Sequence, residues 1–499
     1  MKNNTVIKDK RTVMTTEPVN KLILKLAVPT ILSMLVTTFY NLADTYFVGK
    51  IQTGETGATT SATGAVSVIF SFMAIVQALG YFFGHGSGNY ISHQLGNGNR
   101  DEAEKMAATG FVSAFAVGVV LMIIGYCATE PLAKLMGSTK EILPYAVQYL
   151  RMILIGVPFM TSSLVLNNQL RFQGSASSAM VGIITGAVIN VALDPLFIMV
   201  FNMGVTGAGL ATVISQIISF ILLLIFVGKG DNIRLVFSKF QFKKFYFIEI
   251  FKNGLPSLGR QSISSIANVC LSYAAKMAAY ASNVTNPSVY ATSAIAALGI
   301  VSKIMYFGNA VIIGCGQGFQ PVCGFNYGAG KYKRVKEAFW YTIKISAIFA
   351  VFMVLVSNVF NKQIISVFNV DKDALNFARK GFRYQSISFI FTVWITVSNM
   401  MMQNIGKVVK ATLLAVSRQG IMFIPAVFIL GALFKMEGVL WAQTLADFLT
   451  FVLAVPLQIS MLKEIDELEK QSNLSESSAT AETQNEVKTS EQPTEQIVE

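Results

Sequence analysis

Apolar runs of roughly bilayer-spanning length recur along nearly the whole chain, separated by short polar connectors. A helix rises ~1.5 Å per residue, so about 20 apolar residues cross the ~30 Å hydrocarbon layer. The pattern predicts twelve helical spans, over 24–49, 58–86, 105–128, 142–171, 176–201, 206–228, 249–278, 289–316, 334–360, 375–404, 408–434 and 438–462. Composition agrees: 53% of residues are hydrophobic and only 13% charged, against about 25% charged in soluble domains. The expected fold class is an all-α, polytopic membrane protein.

Charge placement orients the spans. Lys and Arg precede the first span, gather again in the mid-chain connector (Lys229, Arg234, Lys239, Lys243, Lys244) and follow the eighth span (Lys331, Lys333, Arg334, Lys336). Basic loops mark the cytoplasmic side, so both termini are expected there. The net charge of +12 is thus read as topology, with no nucleic-acid partner. The four cysteines form no CxxC pair, and no disulfide framework or cofactor is expected.

The two halves are alike. "LAVPTILSMLVTTFYNLADTYFVG" aligns with "NGLPSLGRQSISSIANVCLSYAAK", matching Pro29 to Pro256 and Asn41 to Asn268; Gly84, Gly86, Gly96 and Gly98 match Gly316, Gly318, Gly328 and Gly330. Each unit holds an even number of spans, so the copies insert in the same orientation. Such parallel repeats are a transporter architecture with the substrate path between the halves. The expected divisions are a cytoplasmic segment 1–23, an N-lobe 24–228, a basic connector 229–248, a C-lobe 249–462 and an acidic tail 463–499. The tail has ten acids, three lysines and no aromatic residue, and is expected to be disordered.

Charges inside the apolar runs are rare. Asp194 is the only one from Phe172 through Gly228, and Pro195 follows it. A charge at the centre of a membrane helix costs roughly 2.5–3.5 kcal/mol, so an intramembrane acid points to a pathway. Pro195 cannot donate to the carbonyl of Val191 and is expected to kink the helix. Asn190, four residues earlier, shares the face of Asp194. In the hairpin of spans five and six, Thr212 is expected at the depth of Asp194. Asp44, the only charge between Lys25 and Lys50, is expected at a similar level. Asp44, Asn190, Asp194 and Thr212 form a set of hard oxygen groups suited to a proton or Na+. Two such acids in a poorly hydrated pocket would hold a proton near neutral pH. The alternative is that each acid caps a break or pairs with a buried base. The second copy has Leu271 for Asp44 and Ala426 near the place of Asp194, so the fold does not require the acids.

Asp447, alone between Glu437 and Lys463, is either a further cavity acid or a partner for Arg260, Lys303, Arg383 or Arg418. Asn41, Asn167 and Asn168 are the other candidate cavity groups. His85 and His93 without nearby acids make a poor metal site, and the glycines at Gly84–Gly88 are read as helix packing. No Walker motif appears, so ATP is not an expected partner.

"YNLADTYFVG", "NVALDPLFI", "GQGFQPVCGFNYGAGKYKRV", "SRQGIMFIPAVFIL" and "GVLWAQTLADFL" together resemble the multidrug and toxic compound extrusion (MATE) family, in its bacterial DinF- and MepA-like branch. The resemblance spans roughly 17–462. It implies two six-helix lobes in a V and a monomeric plasma-membrane antiporter. Amphipathic, often cationic, compounds would leave in exchange for protons or sodium. The family's N-lobe coupling residues map onto Asp44, Asn190, Asp194 and Thr212, and Asn167 onto a polar cavity position. Some members carry acids on spans seven, eight and ten; here those spans hold Arg260, Lys303 and Arg383. A lipid-linked-precursor flippase of the same superfamily is the second reading. A membrane-embedded enzyme, the third, lacks a visible catalytic constellation.

Overall fold

A computed structural model of the protein describes residues 9–48, 58–282, 286–366 and 372–490. Its N-lobe comprises α2 (Val19–Val48), α3 (Ala58–Asn97), α4 (Arg100–Cys127), α6 (Leu143–Phe172), α7 (Ala176–Pro195) and α8 (Gly204–Val227). Two short helices, α1 (Lys10–Thr16) and α5 (Thr129–Leu135), lie outside these spans. The C-lobe comprises α9 (Lys244–Tyr280), α10 (Pro287–Gly328), α11 (Tyr332–Val359), α13 (Lys372–Ser386) with α14 (Ser388–Asn404), α15 (Val408–Val416) and α16 (Phe423–Ser490); short α12 covers Asn361–Ser366. Non-helical Lys435, at φ 54°, turns the chain inside α16 and separates spans eleven and twelve.

The repeat is visible in the backbone. Gly98 and Gly330 end α3 and α10 at φ 87° and 71°. The following residue closes the same cap in each copy: the Asn99 N–H donates to the Gln94 carbonyl, and the Lys331 N–H to that of Asn326, both at 2.8 Å. This closure needs a residue in the left-handed region, where glycine carries no steric penalty.

α3 and α10 run about three turns past the ends expected for spans two and eight. Glycine-rich, polar sequence there reads as loop. Tertiary packing overrides that propensity: Asn89, Ser92, Gln317, Gln320 and Asn326 are all buried. The lobes meet through α2 against α10 and α3 against α9, a twofold-related pair, with α3 and α10 also in contact. A side chain on Gly96 would collide with the carbonyl oxygen of Phe325, and one on Gly328 with that of His93. Gly86 and Gly254 likewise face the carbonyls of Ile250 and Phe82. Small residues let helix backbones approach this closely. These contacts lie toward the basic-loop end of the helices, so a seam closes the cytoplasmic side.

α1 straps this seam. The Arg11 Nε donates to the Gly96 carbonyl at 2.8 Å on one lobe. From the other, Asn326 Nδ2 donates to Met14 O at 3.1 Å, Lys331 Nζ to Thr15 O at 3.0 Å and Arg334 Nη2 to Glu17 O at 2.6 Å. Lys10 donates to Ser175 Oγ at 2.6 Å and to Asn232 Oδ1. Partial burial pushes the Lys10 ammonium down to about 8, against the pull of Asp231 and with the push of Arg100. Docked α1 therefore holds fewer protons than undocked α1 between pH 8 and the lysine reference of 10.5. Raising the pH through that window should tighten docking. Amide exchange in α1, corrected for its chemical rate, should slow from pH 8 to 10; faster exchange would contradict the assignment.

The tail differs from expectation: α16 stays helical through Ser490. The reason lies in its first turns, where acids meet the basic cytoplasmic rim. Glu464 pairs with Lys407 and with Lys410 (2.9 Å), while Lys336 pairs with Asp466 and with Glu469 (2.7 Å). Opposite charge, read as solvating when counted along the chain, ties the helix down in space.

Candidate functional site

The hairpin of α7 and α8 carries the expected coupling groups. α7 ends at Pro195, and a π turn over Leu196–Val200 follows. The missing proline N–H thus ends the regular helix one residue beyond the acid, and π turns recur at functional positions. Gly182 faces Leu223 and Gly186 faces Ser219, whose Oγ donates to the Gly182 carbonyl at 2.9 Å. This register sets Thr212 at a depth between Asn190 and Asp194.

Asp194 is 0% exposed, Asn190 2% and Thr212 6%. Asn190 Nδ2 lies 3.5 Å from Asp194 Oδ1, a long contact along one face. The Asn190 Oδ1 is buried with no hydrogen-bond partner among the described residues. The Thr212 hydroxyl donates to Ala208 O at 3.0 Å, which leaves its lone pairs free to accept. α2, the helix of Asn41 and Asp44, packs against α7 and touches α8. The side chains of Asn41 and Asp44 lie outside the described residues. A carboxylate and an amide oxygen thus share one buried face of α7, and a buried hydroxyl stands at their depth on α8; such oxygen groups are of the kind that suits a proton or a small hard cation. In the C-lobe the positions of Asn41 and Asp44 are held by Asn268 and Leu271, which line a cavity of about 100 Å³ with Ser272 and Ser302 and without an acid.

Asn167 has a local structural role. Its Nδ2 donates to the Ala179 carbonyl at 3.0 Å, and Asn399 donates to the Ala411 carbonyl at 2.6 Å in the second copy. The same amide clips the same hairpin in both lobes, so it serves the repeat. Asn168 is buried beneath Gly84; its Nδ2 donates to Leu164 O at 2.7 Å and its Oδ1 accepts from Arg171.

Asp447 is paired. Arg418, on the π turn Ser417–Ile421 of span eleven, donates Nε to Asp447 Oδ1 at 2.8 Å, and Gln443 Nε2 reaches the same oxygen at 2.9 Å. Asp447 is 0% exposed, so this is a buried ion pair. Arg418→Leu should destabilise the protein by about 3–5 kcal/mol by stranding the carboxylate. The double variant Arg418→Leu/Asp447→Leu should recover most of that loss in denaturant unfolding from mixed micelles. Equal loss in both variants would place the pair's role elsewhere.

One cluster was missed. Arg171, 4% exposed, donates to Gln317 Oε1 across the seam and to Asn168 Oδ1, and its Nη2 lies 3.2 Å from His85 Nε2. The repeat contained the signal. At its offset, His85 aligns with Gln317 and Arg171 with Gln403, so a charge occupies one copy where an amide occupies the other.

A family model described as MatE matches residues 29–196 and 248–429, one segment in each lobe. The chain belongs to the MatE family. This MatE protein is 27% identical over 445 residues to a multidrug export protein MepA of Staphylococcus saprophyticus, covering 88% of this chain and 93% of that one. It is 26% identical over 449 residues to the protein of that name in Staphylococcus aureus, covering 90% and 95%. A crystal structure of a MATE protein in complex with MaL6 superposes at a TM-score of 0.83, with 22% identity and coverage of 92% and 99%. The two-lobed helical fold is therefore shared, and the MatE protein is a multi-pass membrane transporter rather than an enzyme.

Proposed function

We propose that this MatE protein is an antiporter that exports amphipathic organic compounds from the cytoplasm in exchange for protons or sodium ions. The observation that carries this reading is the fully buried Asp194, set with Asn190 and Thr212 where a proline ends a membrane helix. The names of its relatives support the export direction and the breadth of cargo. When Asp194 takes up a proton or cation, its charge is neutralised, and the weakened end of α7 is free to repack against α2 and α8. The N-lobe then changes shape and releases cargo outward; loss of the ion to the cytoplasm resets it. The deciding experiment is transport in proteoliposomes with pH and sodium gradients imposed separately. Dye export driven by one gradient identifies the coupling ion; export indifferent to both overturns the antiport reading.

A further inference from the structure

Among the described residues, Arg171 and Arg260 make no ion pair. Arg260 sits on α9 six residues beyond Gly254, so ~9 Å outward of the seam at ~1.5 Å per residue. Among the described residues it makes no ion pair, and its electrostatic neighbours are Tyr81, Arg418 and Tyr306. Arg171 interacts with Tyr81 and with Arg260, and its buried Nε has no hydrogen-bond partner among the described residues. Tyr81 comes from α3, Arg171 from α6, Arg260 from α9 and Tyr306 from α10. Groups from both lobes thus lie within electrostatic reach of one another, and Tyr306 is 60% exposed. Arg418 has its own carboxylate in Asp447.

Arg171 is buried and Arg260 half-buried, and two like charges so placed without a counter-charge are unfavourable unless something neutralises them. The hydrogen-bonding neighbours of Arg171, namely Gln317, Asn168 and His85, offer dipoles only. The guanidinium fork matches carboxylate, sulfonate and phosphate oxygens, and phenol hydroxyls add donors to such groups. Arg171 also has Gln403 at its repeat position, so the fold does not demand a charge there.

We propose that Arg260 and Arg171, with Tyr81 and Tyr306, form an anion-binding site between the lobes that takes the negatively charged group of an amphipathic cargo. The proposal deepens the export reading by naming the charge of the cargo, and it reverses the cationic cargo expected from the resemblance. Arg260 is the primary contact on the outer side of the seam. Arg171, engaged with Gln317 while the seam is closed, becomes available to the anion as the lobes part.

Binding can be read without transport. Fluorescein at pH 8 and rhodamine 6G share a xanthene scaffold and carry opposite charge. Fluorescence anisotropy on the full chain in phosphatidylcholine nanodiscs should show fluorescein binding at least tenfold tighter than rhodamine 6G. Arg260→Gln, which removes no hydrogen bond, should weaken fluorescein at least tenfold and leave rhodamine 6G unchanged or tighter. Arg171→Gln should do the same to a smaller extent. A second set of discs containing phosphatidylglycerol separates two sources of the anionic group. Loss of the Arg260-dependent fluorescein signal assigns the site to a lipid headgroup; its persistence assigns it to a free organic anion. Both results support the site. Equal or tighter binding of rhodamine 6G, no binding of either dye, or fluorescein binding insensitive to Arg260→Gln would overturn it. Failure of ion-driven export with this binding intact would instead count against the antiport reading.

Discussion

Asp194→Asn should abolish export against a gradient while leaving the protein in the membrane at its normal level. The carboxylate is fully buried in a membrane helix, and only a group that changes charge can sense a proton or bind a cation strongly there. Asparagine preserves shape and hydrogen bonding to Asn190 but is permanently neutral. If the charge-dependent energy at this depth is ~2.5–3.5 kcal/mol, its loss corresponds to roughly a 100-fold fall in driven export. Insertion should not suffer, because the substitution removes a cost. Downhill equilibration of dye through the variant should survive. Uphill export at the wild-type rate in proteoliposomes would remove Asp194 from the coupling machinery.

The second large effect belongs to the seam. Gly328→Val places a side chain against the His93 carbonyl, a backbone atom that can move only with its helix. α3 and α10 must then separate. Overpacking of this kind costs ~1–3 kcal/mol, and the same energy spent on a two-state equilibrium shifts it ~5–150-fold. The cytoplasm-closed state should lose that factor of population, and export should slow accordingly. Cys323, on α10 in the same seam and 0% exposed, supplies the readout. In a background lacking the other three cysteines it should resist maleimide in the wild type and react in the variant. Gly299→Val is the control, because nothing lies within 4 Å of the added carbon. Equal labelling in all three proteins would show that the seam does not gate access.

Much of the architecture was legible because hydrophobic runs report membrane crossing directly, and the paired motifs announced two copies. What sequence could not show was where polar residues meet. Helix ends at Asn97 and Gly328 read as loop, since burial of Asn89 and Asn326 needs the other lobe. The tail read as disordered because its acids and the basic rim are far apart in sequence. Asn190 and Asp194 could be placed on one face because helical spacing suffices, and the hairpin register sets Thr212 at their depth. The hairpin clip made by Asn167 was not legible, because a polar residue in a span shows such a role only through its echo at Asn399. Arg171 went unremarked at a helix end, where arginine ordinarily reaches water; its burial depends on Gln317, which lies 146 positions away.

The lobes grip each other on the cytoplasmic side through glycine–carbonyl contacts, amide bonds such as Asn89 to Asn253 at 2.7 Å, and the bond from Arg171 to Gln317. Among the described residues, each ion pair joins groups on the same side of this grip. Parting the halves therefore separates no opposite charges. Changes in ionic strength should leave its rate nearly untouched. Sensitivity to the electrical gradient would then enter through whatever the transporter carries and exchanges, and at the hinge only through the guanidinium of Arg171.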